Sequence, residues 1–159
     1  MYYKKCTILD YKALQNLREK VLYPPQSIFD FVRSLYFKKN TILIGCFDTD
    51  ARLIGYLYAI DGKYVTLPRD NIEWYSKCNK MHIETLVVDP FLHESQQRKI
   101  VHELLLELEN MSVYNHIDVF LEIRNTKIKK WIYNYGFITE GVFDTDTYYD
   151  LVILGKQNI

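Results

Sequence analysis

Glu84 interrupts the most regular apolar stretch of the chain, Met81–Val88, and a carboxylate inside a well-patterned strand needs a reason. Such a group can act as a general base towards an attacking nucleophile, or it can reach solvent or a lysine at the sheet edge. Beyond Asp89-Pro90 the chain turns polar, and Gln96, Gln97, Arg98 and Lys99 stand where a helical pattern begins. A strand that runs into a helix combines two binding devices. Backbone groups along an unpaired strand edge suit a ligand that carries amides, and N–H groups at the helix start suit a phosphate. Arg98 and Lys99 add positive charge for the same purpose.

Other reactive side chains form no constellation. His82, His93, His102 and His116 are scattered, and neither His93-Glu94 nor His102-Glu103 has the second histidine of a zinc-binding helix, so no metal is expected. Cys6, Cys46 and Cys78 are odd in number, lack a CxxC pair and sit in or near apolar segments, which reads as free core thiols in a reducing compartment. Lys127, Lys129 and Lys130 read as the solvated face of a helix.

The elements that would carry these residues follow from periodicity. Tyr2–Ile8 is expected as a first strand, and Asp10 as the N-cap of a helix with Leu14, Leu17, Val21 and Leu22 on one face, ended by Pro24-Pro25. A second helix is expected over Gln26–Lys38. Thr41–Phe47 and Leu53–Ile60 flank the turn-like Asp48–Ala51 and suggest a hairpin whose register stays open. Asp61–Lys80 is irregular. Met81–Val88 is a strand, and on simple alternation Glu84 shares a face with Leu86 and Val88, opposite Ile83 and Val87. Gln96–Met111 is a helix with Ile100, Val101, Leu104, Leu105, Leu108 and Met111 at helical spacing. Ile117–Ile123 is a strand, and Asn125–Tyr135 a short helix stopped by Gly136. Strands over Phe137–Val142 and Tyr148–Leu154 close the chain. The order β-α-α-β-β-β-α-β-α-β-β predicts one α+β domain over residues 1–159, a mixed β-sheet with helices on both faces.

The run His82-Ile83-Glu84-Thr85-Leu86-Val87-Val88-Asp89-Pro90, its polar loop, and Ile100 with Leu104-Leu105 resemble the strand-loop-helix of the GNAT N-acetyltransferase superfamily. Glu122-Ile123-Arg124-Asn125, the helix after it and Gly136-Phe137 are similar to a second signature of that family. The resemblance implies acetyl-CoA as co-substrate and direct transfer of an acetyl group to an amine, of a small molecule or peptide. The strand edge at Leu86, Val87 and Val88 would hold the pantetheine arm, with the next strand splaying away after Leu86. Gln96, Gln97, Arg98, Lys99, Ile100 and Val101 would receive the phosphates, and Asn125 would bond the arm from the neighbouring strand. Glu84 would be the base, and Tyr133 the acid that protects the leaving thiolate. The sequence departs from the pattern at Lys99 and Val101, where the family has small residues, and at Ile132, where it usually has the tyrosine. Those departures keep open an alternative, a GNAT-like binding or regulatory module without efficient acetyl-CoA use.

Composition limits the partners. Of 159 residues, 48% are hydrophobic and 25% charged, with twenty basic against twenty acidic side chains. The absence of net charge argues against nucleic acid and anionic lipid as partners. No apolar run approaches the ~20 residues of a membrane span, and the start lacks the apolar core of a signal peptide, so a cytoplasmic location is expected. The fourteen tyrosines and the closing strands are compatible with a homodimer.

Overall fold

β1 (Tyr2–Lys5) ends earlier than its pattern suggests, because Thr7 opens a short 3-10 turn over Ile8–Asp10. The Thr7 hydroxyl accepts from the Leu9 amide and the Asp10 carboxylate accepts from the Thr7 amide, a reciprocal cap. Asp10 does precede α1 (Tyr11–Glu19), but its side chain serves that turn and Lys4 rather than the helix. α1 stops at Glu19, so Pro24-Pro25 does not end it and Val21 lies past it. The computed structural model describes residues 1–21, 33, 37–67, 74–122, 126–143 and 151–157, and the second helix expected over Gln26–Lys38 lies largely outside them.

The expected hairpin is formed by β2 (Ile42–Phe47) and β3 (Leu53–Asp61). The Asp48 carboxylate closes its turn by accepting from the Asp50 and Arg52 amides, and Ala51 takes a left-handed φ of 58°. Phe47 faces Leu53 and Cys46 faces Gly55, so Ile54 is an extra residue that bulges out of the ladder. β4 (Lys80–Val88) pairs antiparallel with β3. α2 (Glu94–Met111) returns over the sheet to β5 (His116–Glu122), which lies parallel to β4. α3 (Thr126–Tyr135) ends at Gly136, whose φ of 121° is the expected left-handed stop. β6 (Ile138–Phe143) and β7 (Leu151–Gln157) complete a seven-stranded mixed sheet in the order β1-β2-β3-β4-β5-β7-β6.

Helices cover both faces. α2 and α3 bury Ile100, Leu104, Leu105, Leu108, Trp131 and Ile132 against Ile44, Leu57, Ala59, Met81 and Ile83. α1 covers the other face, where Leu14 and Leu17 meet a cluster with Leu43, Tyr56, Tyr58 and Ile60. The alternating members of β3 thus divide between two cores. Gly55 lets α2 approach closely, since a Cβ there would lie 2.7 Å from a methyl of Ile100 and 3.3 Å from the Val87 carbonyl oxygen.

Gly55→Val is therefore expected to push α2 off β3 and to lower stability by about 1–3 kcal/mol, read from urea unfolding. A midpoint equal to that of the unaltered protein would show that this contact does not set the spacing of helix and sheet.

Candidate active site

β4 and β5 pair only at their beginnings. The parallel register runs from Lys80 opposite His116 to Ile83 opposite Val119 and then stops, whereas β3 stays paired with β4 as far as Val88. From Glu84 to Val88 the edge of β4 that faces β5 has no strand partner among the described residues. The divergence begins after Ile83, earlier than the expected point after Leu86. Its local cause is a second bulge. Tyr58 faces Thr85 while Ala59 faces Ile83, so Glu84 is an extra residue in β4.

The bulge also corrects the assignment of faces. Ile83, Leu86 and Val88 all pack on the α2 side, and Val87 packs on the α1 side. Simple alternation put Ile83 and Leu86 on opposite faces and Glu84 with Leu86; the extra residue resets the count. Glu84 instead projects towards His82, with Oε2 3.8 Å from His82 Nε2, and its side chain is 44% exposed.

Behind Glu84 lies a buried polar cluster that the sequence reading passed over. Asp118, on β5 directly opposite His82, is fully buried and accepts three hydrogen bonds. Its Oδ1 is 2.7 Å from His82 Nδ1, and its Oδ2 takes the Tyr75 hydroxyl at 2.7 Å and the Lys80 ammonium at 3.2 Å. Burial pushes the Asp118 carboxyl up, but the hydrogen bond and charge of His82, the Tyr75 hydroxyl and the Lys80 charge outweigh it and hold the group below the usual carboxylate range. Burial, followed by the Asp118 charge and hydrogen bond, pushes the Tyr75 phenol well above its ordinary value. Lys80 Nζ also lies 4.3 Å from the centroid of the Tyr75 ring, and the His82 ring lies 4.4 Å from that of Phe120. An ionised carboxylate only accepts, so His82 Nδ1 carries the hydrogen and Nε2 is the nitrogen left to face Glu84. The signal was present in the sequence: Asp118 sits between Ile117 and Val119, a carboxylate in an apolar strand, as Glu84 follows Ile83 and precedes Thr85-Leu86.

The entrance to α2 differs from the expected phosphate loop. The helix begins at Glu94, two residues before the expected start at Gln96, so Gln96–Val101 lie further inside its first turns. Gln96 and Gln97 both donate their amides to the His93 carbonyl, the His93 ring accepts from the Ser95 amide, and the Gln97 side chain donates to the Leu92 and Pro90 carbonyls. Ile100 and Val101 are buried against the sheet with their amides inside the helical ladder, so the expectation that they meet phosphate does not hold. Arg98 and Lys99 are exposed, and Lys127 at the start of α3 reaches Glu94 at 3.4 Å. Asn125 lies outside the described residues.

Tyr133 is placed elsewhere than the acid role requires. Its hydroxyl bonds the Thr139 hydroxyl on β6. β6 is three strands from β4 in the sheet order, which at strand spacing is ~14 Å away. Ile132, the residue one step before it, is the one turned into the core. Among the described residues, no group of three or more His, Cys, Asp or Glu side chains could hold a metal ion, and no helix is long and apolar enough to cross a membrane.

Compared with solved structures, this is the fold of the GNAT N-acetyltransferases. It matches the ribosomal-protein-S18-alanine N-acetyltransferase of Escherichia coli at a TM-score of 0.72, over 99% of this chain and 93% of that one, with 13% identity. It matches a variant of the spermidine N-acetyltransferase SpeG of Vibrio cholerae at 0.71, over 99% and 95%, with 15% identity. It matches Arabidopsis thaliana NAA60, solved with a bisubstrate analogue, at 0.68, over 98% and 97%, with 12% identity. No protein-family model matches the sequence, and no curated protein matches it.

Asp118→Asn leaves the buried Lys80 without its carboxylate and is expected to lower stability by about 3–5 kcal/mol near neutral pH. Because Asp118 is held below its ordinary value of 3.8, its contribution is complete above about pH 4 and is lost as the pH falls through the folded-state value. The gap in urea unfolding between the unaltered protein and D118N should therefore narrow in acid. A gap that stays constant from pH 7 to pH 3 would show that the carboxylate is not stabilised by its three donors.

Proposed function

We propose that the protein is an acetyl-CoA-dependent N-acyltransferase that passes an acetyl group directly to an amine of a small molecule or peptide. The observation that carries this reading is the open edge of β4 from Glu84 to Val88, held by β3 and left by β5, with an exposed carboxylate at the point of departure. A pantetheine arm carries amides, and the backbone of Leu86, Val87 and Val88 supplies groups for it to bond. Acetyl-CoA brings the activated thioester. The strand amides near Leu86 polarise its carbonyl, and Glu84 takes the proton that the amine loses on attack.

The phosphate end is held by side chains more than by a backbone cradle in this reading. α2 already caps its own start through His93 and Gln97, and the small residues that let phosphate approach backbone are replaced by Lys99 and Val101. Arg98 and Lys99, with Gln96 beside them, supply charge and donors there instead. The three free thiols, two of them buried, agree with a reducing compartment, and we place the enzyme in the cytoplasm.

The self-capped start of α2 favours a second reading, a GNAT-like module that binds without turnover.

Acetyl-CoA at 100 times its dissociation constant is expected to stabilise the fold by about 2.7 kcal/mol, visible as a rise in melting temperature. Lys99→Glu should reduce that rise by placing negative charge at the phosphates. With a panel of amines, polyamines and peptides, release of free thiol should be detected, and Glu84→Gln should slow it about 10²–10⁴-fold. Binding without thiol release across the panel would select the second reading. The absence of any shift at millimolar acetyl-CoA would remove the first.

A further inference from the structure

The cluster behind Glu84 has more chemistry than a structural clamp needs. A buried lysine and a buried aspartate can satisfy each other, yet this one adds an imidazole whose outward nitrogen faces the exposed carboxylate. His82 is buried, and its two ring nitrogens lie between two carboxylates, Asp118 on β5 and Glu84 on its own strand. Across β3 its neighbour is the apolar Ile60. The Phe120 ring of β5 covers it, and Tyr75 and Lys80 face it only through Asp118. Among the described residues, its route for exchanging a proton with the open edge of β4 therefore leads through Glu84.

We propose that His82, fixed at Nδ1 by Asp118, is a positioning residue of the acyl transfer that accepts at Nε2 the proton Glu84 takes from the amine. This rests on the acyltransferase reading given above. The balance is simple. The amine nitrogen bonds the acyl carbon, and the carbon–sulfur bond breaks with its electron pair going to sulfur. The proton from nitrogen passes to Glu84 and on to His82 Nε2. The thiolate is protonated from solvent, and His82 returns its proton to solvent through Glu84 before the next cycle. The 3.8 Å from Nε2 to Glu84 Oε2 is longer than a hydrogen bond. Because Glu84 is partly exposed and His82 is not, closing that distance is a movement of Glu84. Moving the proton away from Glu84 restores the carboxylate as an acceptor while the amine is still in place. Asp118 keeps the imidazole in the one tautomer able to receive it.

Two measurements test this, one of them independent of turnover. In protein labelled with ¹⁵N at histidine, the ring signals of His82 should show hydrogen on Nδ1 and an exchangeable Nε2. The Nε2 signal should move in Glu84→Gln and the Nδ1–H signal should vanish in Asp118→Asn. A His82 with its hydrogen on Nε2, or one whose Nε2 signal ignores Glu84→Gln, overturns the proposal. In kinetics with an amine that supports thiol release, His82→Gln should lower kcat by about 10²-fold, the lower end of acid–base contributions, and leave KM for acetyl-CoA unchanged. Added imidazoles should restore rate to His82→Gly in order of their basicity, a dependence that a purely structural role would not produce. Full turnover in His82→Gln, or rescue unrelated to basicity, also overturns the relay. Failure of acetyl-CoA to raise the melting temperature of the unaltered protein would instead sink the acyltransferase reading, whatever the tautomer of His82.

Discussion

Everything at the candidate site hangs on one cross-strand clamp, the Asp118 carboxylate reaching from β5 to three donors, of which two stand on β4. A parallel strand pair needs a reason to stay together for four residue pairs and then part. The clamp supplies the first half of that reason, because His82 and Asp118 are register partners one step before the last pair. The bulge at Glu84 supplies the second half by adding a residue and bending β4 away. Were the clamp apolar, the two strands would have no comparable penalty for sliding, since van der Waals contacts tolerate displacement better than a carboxylate whose acceptors are all engaged.

The two cores are arranged around that divergence. On the α2 side, Gly55 admits Ile100 against β3, so the helix is seated close to the strand that still holds β4. Leu86 and Val88 pack on this side as partly exposed members, which keeps the free edge of β4 rigid without closing it. On the α1 side, Lys20 pairs with the buried Asp89 at 3.0 Å, just past the end of β4, and Asp89 donates its amide to the Ile54 carbonyl. The open edge is therefore fixed at both ends: by Asp118 below and by Asp89 above. Backbone that carries free donors stays in place only when its neighbours determine its path, and here they do.

The sequence made the long apolar segments legible. Met81–Val88, the helix ending at Met111 and the Gly136 stop follow from period and from glycine chemistry. What it hid were departures from period by a single residue. Ile54 and Glu84 are ordinary members of strand-like runs, and nothing in their identity marks an extra residue; yet each resets the alternation, so counting across the bulge grouped Glu84 with Leu86 and Val88, from which the structure separates it. Ala51 hid the register of the hairpin in the same manner, because its left-handed turn carries none of the glycine or asparagine that signals such a position. Tyr133 failed for a helical version of this reason: one position is about 100° of rotation, and Ile132 takes the inward direction. His82 and Asp118 were missed because they are distant in sequence and meet only across a parallel pair whose register no local pattern reveals.

A buried ion cluster is seldom the most stable way to fill a core, since apolar residues of equal volume avoid the desolvation of the charges. The placement of this one makes stability a poor explanation for its composition. Tyr75 and Lys80 both bond Oδ2 of Asp118, and His82 alone of the three donors takes Oδ1 while its ring packs on Phe120. Beyond its part in the clamp, a histidine at that position adds a second nitrogen, whose neighbour among the described residues is the exposed carboxylate of Glu84. The structure thus separates two functions within a single cluster: Lys80 and Tyr75 neutralise and anchor Asp118, and Asp118 in turn orients an imidazole towards the open strand edge. A core built for packing alone would have stopped at the first.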